Sequence, residues 1–174
     1  MNLADDDFTL FGLAPRFALD RAELDQRWRA LQAEVHPDRF ASEGPAAQRL
    51  AMQWAVRVNE AYRRLKDPLA RGAYLCGLRG QPVQAEDNTA MPADFLMQQM
   101  QWREALDEAP DLAAVEALEA EVRADERRRL EALRQALDDG GDTAAAAAQV
   151  RALTFLARFR QDLARRLDHF EDQN

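Results

Sequence analysis

Apolar positions fall into two blocks of helical periodicity separated by a stretch without any. In the first block, Phe8 to Gly12 reads as a short opening helix that stops near Pro15. Leu24, Trp28, Leu31 and Val35 then recur at spacings of four, three and four, one apolar stripe of an amphipathic helix. Asp20 is placed to cap that helix, with Glu23 at the capping-box position. Pro37 ends it, because the ring removes a donor and disfavours helical geometry in the residue before it. Ser42 to Pro45 reads as loop. Leu50, Trp54, Val58, Ala61, Tyr62 and Leu65 predict a second long helix ending near Asp67-Pro68, and Leu69 to Leu78 predicts a short one. Two long antiparallel helices joined by a loop make a helical hairpin.

Gly77 to Met91 has two Gly, a Pro and little periodicity, and reads as a linker. In the second block, Pro92 suits the first turn of a helix that runs to about Ala109, where Pro110 breaks it. Leu112, Val115, Leu118 and Val122, then Leu130, Leu133 and Leu137, mark a second helix, ended by Gly140-Gly141. Asp142 or Thr143 caps a third, with Val150, Leu153, Leu156, Phe159, Leu163, Leu167 and Phe170 on its apolar side. The expectation is an all-α chain: a hairpin domain over 1–78, a linker over 79–91 and a three-helix bundle over 92–174.

Composition narrows the function classes. The 174 residues are 47% hydrophobic and 31% charged, enough for packed cores in one medium or two small domains. A formal net charge of −8 argues against a general nucleic-acid or membrane-surface binder. Cys76 is the one cysteine, so there is no intramolecular disulfide, and it could not hold a metal or iron–sulfur cluster by itself. The acidic start resembles neither a signal nor a transit peptide, and no apolar run approaches the ~18 residues of a spanning helix. A soluble protein of the bacterial cytoplasm is expected, without cofactor or metal.

Between the two long helices of the first block lies His36-Pro37-Asp38. The triplet alone says little, since a helix-ending Pro beside a turn-capping Asp would look the same. As an enzyme site, His36 and Asp38 would form an acid–base pair. The other histidine, His169, is near the far end, and no nucleophile motif or Gly-rich phosphate loop accompanies them. No enzyme is expected.

The context is more specific. The segment Asn59-Glu60-Ala61-Tyr62-Arg63-Arg64-Leu65-Lys66-Asp67-Pro68-Leu69-Ala70-Arg71, the Tyr74 that follows, and the opening Phe8-Thr9-Leu10-Phe11-Gly12-Leu13 all resemble J-domains, in the right order around the triplet. The resemblance covers about residues 5 to 78. It implies docking to a DnaK-type ATPase through His36, Pro37, Asp38 and the basic face of the preceding helix, here Arg21, Arg27 and Arg29. Such arginines can meet an acidic partner through charge-assisted hydrogen bonds, although each could equally belong to a solvated helix face. Arg39 stands where a Lys often follows the triplet.

On a wheel of ~100° per residue, Phe95, Gln99, Trp102 and Leu106 gather on one core face. Leu96, Met97 and Met100 lie about 60° to 200° away, on the side of Gln101, Glu104 and Glu108. Either a neighbouring helix covers this face too, or it is an adaptable apolar docking patch edged by acids. With the J-domain in front, the run from Phe95 to Glu108 resembles the HscB family of iron–sulfur-assembly co-chaperones. That resemblance implies an L-shaped molecule whose bundle binds the scaffold IscU and whose J-domain calls on the chaperone HscA. The implied scaffold surface is Leu96, Met97, Met100, Gln101, Glu104, Glu108 and, from the last helix, Phe155, which sits off the Leu153–Leu156–Phe159 stripe. Gln101 departs from a family pattern in which an acid is common there. The paired-cysteine module of some eukaryotic relatives is absent, so no metal is implied. The resemblance implies an adaptor, expected to be a monomer. A general J-domain co-chaperone of DnaK with other clients remains open. So does a helical dimerisation module with an accidental triplet.

Overall fold

A computed structural model describes residues 2–40, 42–83 and 91–172, and all of their regular structure is helical. Residues 84–90, most of the expected linker, lie outside the described residues. The chain forms two compact units, 1–75 and 76–174. Their division falls inside a helix rather than after it.

The N-terminal unit opens with α1 (Asp7–Leu10), capped by Asp6, whose carboxylate accepts from the N–H groups of Phe8 and Thr9. Burial alone would raise the Asp6 pKa, but these bonds and the Thr9 hydroxyl outweigh it and hold the group below its ordinary value. Helix α2 (Arg21–Glu34) is capped by Asp20 as expected. Glu23 turns from the capping-box role to Arg27, 2.7 Å away. A 3₁₀ turn, Pro37–Phe40, follows. Helix α3 (Pro45–Lys66) begins at Pro45, a residue expected in the loop. Proline's fixed φ suits a first helical position, and Gly44 before it takes the left-handed φ of 93° that the turn requires. Helix α4 (Pro68–Leu78) carries the division between the units.

Leu24, Val35, Val58, Ala61 and Leu65 are buried along the expected stripes. Trp28 stacks on Tyr62 with ring centroids 4.4 Å apart, and its indole N–H donates to Asn59 Oδ1 at 3.0 Å. Leu50 departs from its stripe and is 49% exposed. The first turns of α3 lie against the short Pro37–Phe40 turn, too small to cover them. Asp7 is fully buried and ties α1 to its neighbours. Arg57 and Arg64 of α3 reach its two oxygens at 2.8 and 2.9 Å, and its N–H donates to the Tyr74 hydroxyl of α4.

In the C-terminal unit, α5 (Ala93–Glu108), α6 (Leu112–Arg134) and α7 (Thr143–Glu171) pack as a bundle. Pro92 sits just before α5 rather than in its first turn. Helix α6 widens into a π turn, Gln135–Asp139, before Gly140 stops it. Asp142, not Thr143, caps α7. Phe95, Trp102, Val115, Val122, Leu133, Val150, Leu156, Phe159 and Leu163 are buried in the core. Cys76 is also buried, which pushes its thiol pKa up and leaves it a packing residue. Among the described residues no helix is long and apolar enough to cross a membrane.

Candidate functional site

The structure places the predicted residues on two surfaces, one in each unit. The first is the bend between α2 and α3. Val35 is buried and ends the α2 stripe, so the chain leaves the core at the next residue. Pro37 fixes the turn and Arg39 braces it by donating to the Ala33 carbonyl at 3.1 Å. His36 and Asp38 are thereby presented outward, with side chains 58% and 91% exposed. The Asp38 N–H donates to His36 Nδ1 at 3.3 Å. An Nδ1 that accepts leaves the neutral ring's proton on Nε2, as a donor for an outside partner. The Asp38 carboxylate lies 3.7 Å from the ring. Among the described residues no metal-ligand cluster joins the pair.

The three arginines of α2 differ in what holds them. Arg27 is turned inward: its guanidinium donates to the Phe11 and Gly12 carbonyls at 2.8 and 3.1 Å and to Glu23. It packs α1 against α2, a duty invisible from its spacing alone. Arg21 pairs with Asp25 at 2.6 Å, and both meet the Tyr62 hydroxyl. The Arg21 hydrogen bond is the main cause holding the Asp25 carboxyl below the ordinary carboxylate range. Arg29 is exposed, and its charge adds to the lowering of the Asp25 carboxyl one turn away.

The second surface is the outer side of α5. Its inner side is closed, with Phe95 at 0% and Trp102 at 2% exposure. On the outer side Leu96, Met97 and Met100 are 43%, 68% and 71% exposed. No neighbouring helix covers them among the described residues. Met97, Met100, Gln101, Glu104, Asp107 and Glu108 line one shallow groove. The structure thus adds Asp107, an exposed acid beside Glu108 that the sequence assignment did not include. Phe155 is half-buried: its ring meets Phe95 edge-on at 5.5 Å and stacks on Phe159, with Arg103 of α5 over it at 5.2 Å. It belongs to the aromatic cluster under α5 as much as to the surface, because α7 brings that position against Phe95.

A buried charge network supports this helix from behind. Arg129 of α6 lies 4.3 Å over the Phe95 ring, binds Asp125 at 2.6 Å and reaches Asp94 at 3.4 Å. The sequence carried a signal for it: Asp125 and Arg129 continue the three-and-four spacing of Val115, Leu118 and Val122 toward Leu133, so two charges occupy core positions.

Residues 91–164 match the family model described as the HSCB C-terminal oligomerisation domain. The chain is 51% identical to the co-chaperone protein HscB homolog of Burkholderia multivorans, over 98% of this chain and 99% of that one. It is 54% identical to the Bordetella petrii homolog, over 92% and 95%. Among solved structures, the chaperone HscB from Vibrio cholerae matches with a TM-score of 0.87 and 38% identity, covering 94% of this chain and 99% of that one. Human co-chaperone protein HscB matches with a TM-score of 0.86 and 27% identity, covering 94% and 83%. With near-complete coverage at about half identity, and with the same helical architecture, the chain belongs to the HscB family of co-chaperones.

Proposed function

We propose that this co-chaperone is a two-armed adaptor of iron–sulfur cluster biogenesis. One arm, the α5 patch of Leu96, Met97 and Met100 with Gln101, Glu104, Glu108 and Phe155, binds the scaffold IscU. The other, His36-Pro37-Asp38 with Arg21 and Arg29, docks on the DnaK-type chaperone HscA and stimulates its ATPase. Arg27 serves this arm indirectly, by holding α1 against α2. The protein makes and breaks no bond itself and works as a monomer in the bacterial cytoplasm.

The observation that carries the reading is the exposure of Leu96, Met97 and Met100 on a helix whose opposite side is fully closed. Keeping three large apolar side chains in water gives the fold nothing, whereas a partner that covers them gains their burial. Methionines suit a surface that must mould to another protein. The family model's own description favours a second reading, self-association through the C-terminal domain. Light scattering separates the two: a monomer at micromolar concentration keeps the patch free for a scaffold, and a dimer lost on Met97→Glu assigns it to self-association.

Titration calorimetry with IscU and an HscA ATPase assay test the arms separately. Leu96→Ala combined with Met97→Ala and Phe155→Ala weakens IscU binding at least about tenfold, the scale for losing interface anchors. His36→Gln leaves that binding intact and abolishes stimulation. Unchanged affinity in the triple variant, or full stimulation by His36→Gln, refutes the corresponding arm.

A further inference from the structure

Beside the His36–Asp38 turn the N-terminal unit holds a concave apolar cleft of about 340 Å³. Val35, Phe40, Ala47, Leu50, Ala51 and Trp54 line it, with Glu34 and Glu43 at its edge. It is contiguous with the triplet at both ends: Val35 immediately precedes His36, and Phe40 closes the turn that Pro37 opens. A partner that grips His36 and Asp38 is therefore within one side chain of the cleft.

Its construction is not that of a closed core. Ala47 and Ala51, one turn apart on α3, supply only methyl groups where larger side chains would fill the space. Leu50 at the lip is 49% exposed although it continues the apolar stripe of α3. Trp54 is only half-buried. Glu34 and Glu43 are exposed and form no ion pair among the described residues, so the rim of an apolar hollow carries two solvated carboxylates. That charge is opposite to the arginines of α2.

We infer that this cleft receives an apolar side chain of the DnaK-type chaperone, presented next to a basic residue that meets Glu34 and Glu43. The inference rests on the chaperone-docking reading of the triplet and extends it. The chaperone contact then has a recognition apex at His36 and Asp38, and an anchor pocket that fixes where the apex lands. A buried apolar anchor ringed by charge is the usual source of affinity in a small interface. The apex, being exposed and polar, contributes orientation and the stimulatory contact.

The test is a titration of the HscA ATPase with the full-length protein and three variants, each checked for its thermal transition. Ala47→Phe fills the cleft, Leu50→Ser removes its lip, and His36→Gln disables the apex. The cleft variants raise the half-saturating concentration about tenfold and still reach the wild-type plateau, while His36→Gln loses the plateau itself. Should Ala47→Phe fail to fold, Leu50→Ser decides, because it changes a half-exposed position. Folded cleft variants that titrate like wild type, while His36→Gln remains inactive, overturn the anchor and leave the docking reading standing. Full stimulation by His36→Gln removes both. Cleft variants that lose affinity for IscU, with HscA titration unchanged, also overturn the assignment.

Discussion

At the scale of single residues, identity and environment separate groups that look alike in the sequence. Arg21, Arg27 and Arg29 sit on one helix, yet Arg27 is committed to the Phe11 and Gly12 carbonyls and Arg29 is open to a partner. Asp7 is one of three consecutive aspartates, and it alone is fully buried. Two guanidinium groups reach its carboxylate and compensate its charge, while its backbone N–H donates to the Tyr74 hydroxyl. Removing that carboxylate leaves the guanidinium groups of Arg57 and Arg64 without their shared anion. Asp7→Ala therefore lowers the unfolding free energy by about 3 kcal/mol in urea denaturation. A loss below about 1 kcal/mol would show that the cluster decorates the J-domain rather than fastening it. Asp5→Ala, at a half-exposed position, serves as the control.

At the scale of elements, α5 has one closed side and one open side. Its two sides predict opposite mutational behaviour. Phe95→Ala opens a cavity beneath Arg129 and Phe155 and costs about 4 kcal/mol of stability. Met97→Ala changes stability by less than about 0.5 kcal/mol, because its side chain touches mostly water. Thermal unfolding of the two variants checks this, and comparable losses would mean that the outer side is packed after all. The division between these sides was legible in the sequence, because the 3.6-residue period sorts Phe95, Trp102 and Leu106 from Leu96, Met97 and Met100 without reference to any other helix. The helix limits at Asp20, Pro110 and Asp142 were legible for the same local reason: a cap or a breaker acts on its own neighbours. What periodicity could not supply was the third dimension. Leu50 matched the α3 stripe but emerged half-exposed, because whether anything lies opposite it depends on where α2 stops. Phe155 lay off its helix's stripe, yet α5 lays Phe95 and Arg103 against it. The inward turn of Arg27 depends likewise on carbonyls fifteen residues or more away in sequence.

At the scale of the whole molecule, the chain forms two compact units, and the proposed function gives each of them one binding task. Each has its own core and exposes one of the proposed binding surfaces, the triplet in one and the α5 patch in the other. Covalent linkage of two such binding surfaces raises the effective concentration of the bound scaffold at the chaperone, without any new contact. The client and the ATPase should therefore be coupled through this protein rather than served independently. The most direct measurement is the steady-state ATPase rate of HscA with IscU alone, with this protein alone and with both. The account predicts a combined rate well above the sum of the two separate stimulations. It also predicts that this excess disappears in His36→Gln and in the Leu96, Met97 and Phe155 triple variant. A combined rate equal to the sum, or an excess that survives either variant, would contradict it.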